Sequence, residues 1–270
     1  MSTPITLTIA GSDSGGGAGI QADIKAISAT GGYACSAITA LTAQNTQGVS
    51  GIFPVPIDFV AAQLDAVFTD LEVKAVKIGM LADCDIITTV AAKLQQYQPE
   101  HIVLDPVMVA TSGDLLLKQE AIACLKEQLL PIATVITPNI PEALALTQSP
   151  LNAHDLSQDD IEHLISALDG LNTPAVLLKG GHLEADSLAT DYLIRQGSVN
   201  EYKSQRIFTL NTHGTGCTLS SAIASYLAQG CTLDEAIDRA KTYITHALSG
   251  ADRFQIGKGH GPVDHFFALR

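Results

Sequence analysis

The sequence predicts a single α/β domain, residues 1–270, in which a mainly parallel, doubly wound sheet carries helices on both faces. Short β-rich runs alternate with helical runs along the chain, which is the pattern of strand–helix–strand units. The chain has 270 residues, 46% of them hydrophobic, so it is long enough to bury one full core. Neither a linker-like segment nor an internal repeat interrupts the alternation. These observations favour one domain over several.

The first half of the chain is predicted to contain four strands that alternate with helices. Pro56 is suited to the first turn of a helix, and Asp58 adds negative charge near the positive end of that helix. An apolar run before Asp105 indicates a buried strand. The predicted elements are strand 5–9, loop 11–19, helix 20–29, strand 33–40, helix 56–71, strand 73–78, helix 85–97 and strand 102–104.

The second half continues the alternation and adds one antiparallel pair. The dipeptide Gln196-Gly197 supplies turn chemistry between two strand-like runs, which indicates a hairpin. Two helices close the chain. The predicted elements are helix 118–129, strand 134–137, a short helix after Pro141, helix 157–171, strand 175–178, strands 187–194 and 199–207, and helices 218–229 and 233–251.

Composition and charge exclude several classes of protein. The formal net charge is -13, and no basic cluster suits nucleic acid or an anionic membrane. No apolar run is long enough to span a membrane, and residues 1–10 lack the basic flank of a secretory signal, so a cytoplasmic protein is expected. Without a C-x-x-C pair, reduced thiols are favoured over disulfides or a zinc site. The cysteines are Cys35, Cys84, Cys124, Cys217 and Cys231.

The predicted topology places unusual residues along one edge of the sheet. Ligands of open parallel sheets bind beyond the carboxyl ends of the strands. Glycine, proline and polar residues follow six of the predicted strands, which indicates one shared cleft. These segments are 11–19, 77–80, 105–106, 137–139, 179–181 and 211–218.

The segment 211–218 is the most informative of these. Gly214 and Gly216, with Thr215 between them, precede an apolar helix-forming run, so backbone N–H groups can converge on one point. The helix dipole there favours an anion. Cys217 lies at this positive end, where the pKa of a thiol is expected to fall. The alternative is a tight turn with a small buried cysteine.

Other segments of the cleft suggest a metal and phosphate. Carboxylates such as Asp105 and Glu142 suit Mg²⁺ held partly through water. Lys179 can neutralise phosphate charge, although a lysine at a strand end is as often only solvated. Glu142 taken alone fits a first-turn helix carboxylate equally well. With the anion turn, the set indicates metal plus phosphate.

The glycine-rich loop 11–19 is not a known nucleotide signature. A P-loop requires lysine where Gly17 stands, and a dinucleotide fingerprint requires glycine or alanine at Ile20. A flexible turn and a substrate loop remain equally open. The amide of Gln44 offers a donor beside an acceptor, which matches an amino group next to a ring nitrogen. Met80 can pack against a flat ring or simply fill the core.

Taken together, these residues resemble the hydroxymethylpyrimidine/phosphomethylpyrimidine kinases, the thiamin-biosynthesis branch of the ribokinase-like superfamily. The resemblance covers essentially the whole chain, because the matching segments occur in the same order throughout. It implies a ribokinase-like fold. The segments are 10–19, 43–46, 77–80, 105–108, 137–142, 179–182, 211–217 and 259–263.

The resemblance also implies roles for individual residues. Cys217 stands where sugar kinases of the superfamily carry an aspartate as general base, and Gly214, Thr215 and Gly216 stand at the anion hole. Without the resemblance, Asp23 would be interpreted as a solvated residue of the helix after the glycine-rich loop. The implied pyrimidine-binding residues are Gly11, Asp23, Gln44, Met80 and Val107; the implied ATP-binding residues are Asn139, Lys179 and Thr212; the implied Mg²⁺ residues are Asp105 and Glu142.

The activity implied by the resemblance is ATP-dependent phosphorylation of a hydroxymethylpyrimidine and then of its monophosphate, with Mg²⁺ as cofactor and a homodimer as the assembly. A pyridoxine or pyridoxal kinase on the same fold is the closest alternative. Gln44 favours the aminopyrimidine, because pyridoxine lacks the amino group. Cys217 argues against a sugar kinase. A non-catalytic sensor of pyrimidine or vitamin is a further alternative, although nothing in the sequence adds a DNA-binding segment.

Overall fold

The structure is a computed structural model that describes residues 3–108, 119–153, 155–181 and 188–269. Residues 118 and 187, which begin two predicted elements, lie outside the described residues. The strands are β1 (Ile5–Ala10), β2 (Tyr33–Ile38), β3 (Ala40–Asn45), β4 (Gly48–Pro54), β5 (Val73–Ile78), β6 (His101–Leu104), β7 (Val135–Ile136), β8 (Val176–Lys179), β9 (Leu188–Arg195) and β10 (Ser198–Gln205).

The helices alternate with these strands as the sequence predicts. Several begin with the capping signals that satisfy free amides of a first turn: Asp83 caps one helix, and capping boxes open three others. The helices are α1 (Gly19–Ala29), α2 (Ile57–Phe68), α3 (Cys84–Tyr97), α4 (Gln119–Gln128), α5 (Ile140–Thr147), α6 (Gln158–Asp169), α7 (Thr215–Ala228) and α8 (Leu233–Gly250).

The central sheet confirms the predicted fold class. Among the described residues it has eight strands in the order β10-β9-β8-β7-β6-β5-β1-β2. The pairs from β2 to β8 are parallel, and β8, β9 and β10 pair antiparallel. The predicted hairpin turns at Gln196 and Gly197, which both have positive φ angles. The carboxyl ends of the parallel strands therefore share one edge, as the site prediction requires.

Two apolar clusters cover the two faces of the sheet. One unites Ile78 and Leu104 with residues of α2 to α6, and the other unites Ala75 and Val103 with residues of α7 and α8. Neighbouring residues of β5 and β6 point to opposite faces because strand side chains alternate. Both faces are consequently buried, as the continuous apolar runs of the sequence predict.

One small sheet was not predicted. The strand predicted over 33–40 ends at Ile38, and β3 and β4 then form a separate antiparallel pair. The backbone amides and carbonyls of this pair are satisfied between its own strands, while most of β4 is exposed. The mixture of Ala, Thr, Gln and Gly in these strands gives neither an apolar run nor a clean alternation. Periodicity therefore could not detect them.

A disulfide is the second departure from the prediction. Cys84, at the start of α3, is bonded to Cys124 of α4, and their Cα atoms are 5.7 Å apart. The prediction of reduced thiols is therefore wrong for these two cysteines, while Cys35, Cys217 and Cys231 are free. The two helices pack side by side, which the sequence spacing does not reveal. Among the described residues, none of the helices combines the length and apolar character that crossing a membrane requires.

Candidate active site at the carboxyl edge of the sheet

A single large cavity brings most of the predicted site residues together. Its volume is about 2260 Å³, well above the roughly 1,000 Å³ at the upper end for one drug-sized ligand. The cavity therefore has room for two ligands side by side. The predicted site residues that line it are Gly11, Gln44, Met80, Asp105, Val107, Asn139, Glu142, Lys179, Thr212, Gly214, Thr215, Gly216 and Cys217.

The anion turn has the backbone geometry that an anion site needs. Gly214 precedes the first residue of α7 with φ of 79°, a left-handed conformation in which glycine is unstrained. The amides of Thr215 and Thr218 donate to the carbonyls of Thr212 and Gly214. Among the described residues, no acceptor is found for the amides of the two residues between them. These two amides, of Gly216 and Cys217, are available to an anion at the helix end.

The glycine-rich loop is held directly against this turn. A Cβ atom on Gly214 would collide with the carbonyl of Gly17, and a Cβ atom on Gly17 would collide with the ring of His213. Close approach of the two loops, through the Gly17 carbonyl and the His213 ring, therefore explains glycine at both positions. The two loops form one continuous wall of the cavity.

Asp13 organises this contact, and the sequence analysis assigned it no role. Its carboxylate is almost fully buried and accepts backbone amides of the loop and Nε2 of His213. Burial alone raises the pKa of this carboxyl, but the bonds from His213 and from the amides hold the pKa below its usual range. The aspartate lies inside a glycine-rich loop, where Asp commonly bonds nearby amides. That local signal could have identified it.

Cys217 lines the cavity, but the predicted direction of its pKa is wrong. Burial raises the pKa of the thiol to about 11, and the carboxylates of Asp23 and Asp105 act in the same direction. The ammonium of Lys77 and a hydrogen bond from the Gly19 amide oppose this increase. The helix-end position is therefore outweighed by desolvation. In the ligand-free protein the thiol is protonated at neutral pH.

Asp23 requires a correction of position. Its side chain is fully buried and does not line the cavity. Both oxygens contact Nζ of Lys77 at 2.9 Å, and the carboxylate also accepts the hydroxyls of Thr8 and Ser221 at 2.6 and 2.7 Å. The resemblance implied that Asp23 contacts the substrate directly, but its side chain lies beneath the cavity lining. Asp23 is also not the solvated residue that the sequence alone suggested.

Asp105, Glu142 and Lys179 form a second charged group beside the anion turn. Nζ of Lys179 lies 2.8 Å from Oδ1 of Asp105 and 4.0 Å from Oε2 of Glu142. Burial alone raises the pKa of Asp105, but Lys179 and Lys77 hold it below the usual range. Burial raises the pKa of Glu142 to about 7, with Lys179 opposing and Asp105 adding to the increase.

Asn139 and Glu142 also have a clear structural role. The Asn139 side chain accepts the Glu142 amide, and the Glu142 carboxylate accepts the Asn139 amide, which is a capping box at the start of α5. The prediction of Glu142 as a carboxylate in the first turn of a helix is therefore confirmed. The oxygen of Glu142 that accepts the Asn139 amide is also the one that lies 4.0 Å from Nζ of Lys179, and the Met108 amide donates to the same carboxylate.

The acidic residues fit Mg²⁺ only in a particular way. Among the described residues, no three His, Cys, Asp or Glu side chains converge as a ligand set. Asp105 already accepts bonds from Thr137, Lys179 and Ser220. A cation bound mainly by nucleotide phosphates and water, with one or two carboxylates in support, suits this donor set.

Other residues of the cavity lining suit a flat heterocycle. A Cβ atom on Gly11 would lie 3.5 Å from the sulfur of Met80, and Val107, which also lines the cavity, is only partly buried. The hydroxyl of Thr42 donates to the carbonyl of Ser12 at 2.7 Å and lies 3.1 Å from the amide oxygen of Gln44. Gln44 comes from β3, a strand that periodicity missed.

Phe208 and Leu210 complete the cavity at its outer end. Their side chains are 81% and 77% exposed, although both are large and apolar. Thr212 follows them and leads into the anion turn. An apolar pair beside an anion site suits a base attached to phosphates. The sequence analysis left this end of the site unassigned, because the segment 206–212 has no motif of its own.

Comparison with known proteins agrees with this geometry. A family model for phosphomethylpyrimidine kinase matches residues 13–264. A hydroxymethylpyrimidine/phosphomethylpyrimidine kinase of Escherichia coli is 48% identical, with 97% of each chain covered, and one of Rhizobium meliloti is 50% identical over 98% of this chain and 97% of the relative.

A longer relative and a solved structure are also similar to this chain. The bifunctional thiamine biosynthesis protein ThiED of Geobacter sulfurreducens is 52% identical over 97% of this chain, which spans about half (52%) of that relative's length. A Bacillus subtilis pyridoxal kinase solved as an ADP complex superposes with a TM-score of 0.89 at 36% identity, with 99% of each chain covered. Fold, site and sequence agree, and the chain belongs to the phosphomethylpyrimidine kinase family.

Proposed function

We propose that this phosphotransferase transfers the γ-phosphoryl group of ATP to the hydroxymethyl oxygen of 4-amino-5-hydroxymethyl-2-methylpyrimidine, and then phosphorylates the monophosphate to the diphosphate. The observation that carries the proposal is the single cavity lined by Gln44, the anion turn and Cys217. Such an arrangement gives a heterocycle wall, a phosphoryl site and a proton-handling group in one cleft. Membership in the family supports the same reaction and its place in thiamine biosynthesis.

The main catalytic contribution is positioning and charge neutralisation, as in other phosphoryl transfers. The free amides of Gly216 and Cys217, exposed by the turn at Gly214 and Thr215, contact the equatorial oxygens of the transferring group. Lys179 neutralises charge on the nucleotide phosphates, and Thr212 and Asn139 contact the same ligand. Phe208 and Leu210 cover the base.

The role proposed for Cys217 follows from its protonation state. A thiol with a pKa near 11 does not start the reaction as a thiolate. It donates or accepts a hydrogen bond from the substrate alcohol and orients it. To accept the alcohol proton in the transition state, the sulfur must first lose its own proton, and the transfer then regenerates the thiol.

Mg²⁺ is proposed to enter with ATP. Asp105 and Glu142 would hold it through water. The ion supplies charge neutralisation and alignment of the phosphates. The ionised form of Glu142 is favoured by a nearby cation, because opposite charge lowers the pKa of a carboxyl.

Pyridoxal kinase is the alternative activity, since solved pyridoxal kinases of Bacillus subtilis and Staphylococcus aureus share this fold at 36% and 29% identity. Gln44 favours the aminopyrimidine, because its amide can pair with an amino group and a ring nitrogen together. A ratio of kcat/KM values for hydroxymethylpyrimidine and pyridoxine decides between the two. Higher kcat/KM for pyridoxine would make the vitamin B6 substrate the principal one.

A coupled ADP-release assay across hydroxymethylpyrimidine, its monophosphate and pyridoxine tests the proposal. We expect the first two to support turnover. Cys217→Ala is expected to nearly abolish kcat while pyrimidine affinity stays within a few-fold of wild type. Cys231→Ala, a free cysteine remote from the cavity lining, is the matched control. Near-normal kcat in Cys217→Ala would remove the thiol from the mechanism, and tight pyrimidine binding without ADP release would support a sensor.

A homodimer is part of the proposal, as the resemblance implies. The β3–β4 pair and α2 carry exposed apolar side chains that an interface would cover. Leu41, Ile52 and Phe53 belong to β3 and β4, and Ile57 and Phe59 to α2. Light scattering measures the mass directly, and Phe53→Glu is expected to yield monomers. The predicted cytoplasmic location and single domain over residues 1–270 stay predictions.

A further inference from the structure

A carboxylate–ammonium pair lies beneath Cys217, and the mechanism above does not use it. Asp23 and Lys77 have no exposed side-chain surface. The two residues lie on α1 and β5, and Nζ of Lys77 contacts both oxygens of Asp23 at 2.9 Å. Two charges are removed from water here, which proteins rarely do without a reason.

The pair is bonded directly to the helix that carries Cys217. The hydroxyl of Ser221, one turn after Cys217 on α7, donates to Oδ1 of Asp23 at 2.7 Å. The hydroxyl of Thr8 on β1 donates to Oδ2 at 2.6 Å. The carboxylate thus ties the first turns of α7 to the central sheet and to α1. Lys77 also lines the floor of the cavity, whereas Asp23 does not.

The charges around the sulfur come from several elements. Lys77 faces it from β5, Asp23 from α1 and Asp105 from the end of β6, and Lys179 of β8 also interacts with it. Glu142 faces Lys179 in turn. The amide of Gly19, at the start of α1, donates to the sulfur. Lys77 is fully buried, so its attraction for a thiolate is little screened by solvent.

We propose that the buried Asp23–Lys77 pair is a positioning device that anchors the first turns of α7 and sets the charge state of Cys217. Lys77 stabilises the thiolate that can accept the alcohol proton and so return to the thiol, and Asp23 limits that stabilisation so that the resting sulfur keeps its own proton. The two members therefore act on the sulfur with opposite signs. The inference rests on the proposed role of Cys217, but its test does not require turnover.

Alkylation of Cys217 in the ligand-free protein measures the thiolate fraction. Iodoacetamide reacts with the thiolate, so at pH values well below the pKa the rate is proportional to that fraction. Peptide mapping follows each cysteine separately. Cys35 is the internal reference, because burial also raises its pKa to about 11 while no side-chain charge contributes.

Asp23→Asn is expected to increase the Cys217 rate at pH 8 on the order of tenfold, which corresponds to a one-unit fall in pKa. Lys77→Met is expected to decrease the rate by a similar factor. The Cys35 rate stays unchanged in both. Shifts in the same direction for the two variants, or changes shared by Cys35, would mean a general loosening of the structure and would overturn the proposal.

Lys77→Met leaves the buried charge of Asp23 without an opposite charge, although the Thr8 and Ser221 hydroxyls still donate to it, and such a variant is prone to fail in folding. The double variant Asp23→Asn with Lys77→Met removes both charges and keeps the volume close to native. Its Cys217 rate is expected close to that of wild type, because the repulsion of Asp23 and the attraction of Lys77 are lost together. A rate above that of Asp23→Asn contradicts the assignment of opposite signs.

Steady-state kinetics then separate positioning from structure. In Asp23→Asn we expect the alkaline limb of the pH–kcat profile to move to lower pH, with pyrimidine KM within about twofold of wild type. Ser221→Ala, which removes the bond to α7 without changing charge, is expected to lower kcat and leave the alkylation rate within about twofold. If alkylation responds as expected but Cys217→Ala retains kcat, the catalytic role of the thiol fails and the charge assignment stands.

Discussion

The buried carboxylate of Asp13 offers the sharpest test of how the two glycine turns are joined. Oδ1 accepts the amide of Gly15 at 2.7 Å. Oδ2 accepts the amides of Gly17 and Ala18 at 2.9 and 2.8 Å, and Nε2 of His213 at 2.8 Å. In Asp13→Asn, the amide NH₂ must occupy one of the two oxygen positions. The variant will place its remaining oxygen where three donors converge, and the Gly15 amide then faces another donor.

The expected loss of stability follows from this count. One donor is left unsatisfied, at about 1–3 kcal/mol, and three charge-assisted bonds become neutral, at about half a kcal/mol each. Asp13→Asn should therefore lower the free energy of unfolding by about 3 kcal/mol. Asp13→Ala leaves all four donors without an acceptor and should cost about 5 kcal/mol. The pKa of Asp13 is held below its usual range, so the difference from wild type is complete at pH 7 and disappears only as pH falls through that lowered pKa.

Urea unfolding at pH 7, followed by circular dichroism, measures these losses. Asp160→Asn is the matched control, since Asp160 also accepts a backbone amide and a hydroxyl, but on an exposed helix end. Its substitution should change little. A loss in Asp13→Asn no larger than in Asp160→Asn would refute the reasoning. We also expect KM for ATP and for pyrimidine to rise together in Asp13→Asn, because one carboxylate supports both loops.

Three further predictions follow from other contacts. Gly214→Ala should lower the free energy of unfolding by at least about 2 kcal/mol and should also lower kcat. Gly197→Ala has the same φ of 79° but open space around the new methyl group, so it should show only the cost of the left-handed backbone. Equal shifts in Tm for the two variants would mean that a clash with the Gly17 carbonyl contributes nothing. Binding of Mg²⁺ and ATP near pH 7 should release a proton from Glu142, whose pKa is about 7. Calorimetry in buffers of different ionisation heat should detect this proton release in wild type and not in Glu142→Gln. Burial lowers the pKa of His265 to about 4, so between pH 6.5 and 4 the unfolded protein protonates this histidine while the folded protein does not. The free energy of unfolding should therefore fall by about 3 kcal/mol as the pH drops from 6.5 to 4. His265→Gln should reduce this pH dependence, and an unchanged pH dependence would assign it to other groups.

Local patterns were sufficient for much of the fold and for the position of the cleft. Parallel strands buried on both faces produce apolar runs that are visible in sequence, and the rule for strand ends then collects the site residues. Gly214 marks the anion turn because its positive φ favours glycine, and a Cβ atom on Gly216 would crowd Nζ of Lys179 at 3.2 Å. The pair β3 and β4 escaped detection, since its polar and small residues carry no period.

The sequence by itself determined the architecture, the cleft and most of the residues predicted to line it, because each depends on neighbours along the chain. Only the tertiary structure decided the charge of Cys217, the burial of Asp23 and the bond between Cys84 and Cys124. Asp23 meets Lys77 across 54 positions of sequence, and Asp13 meets His213 across 200. A helix end lowers the pKa of a thiol when it acts alone, but burial and distant carboxylates act more strongly here. Desolvation depends on everything that packs around a group, and no local pattern contains that information.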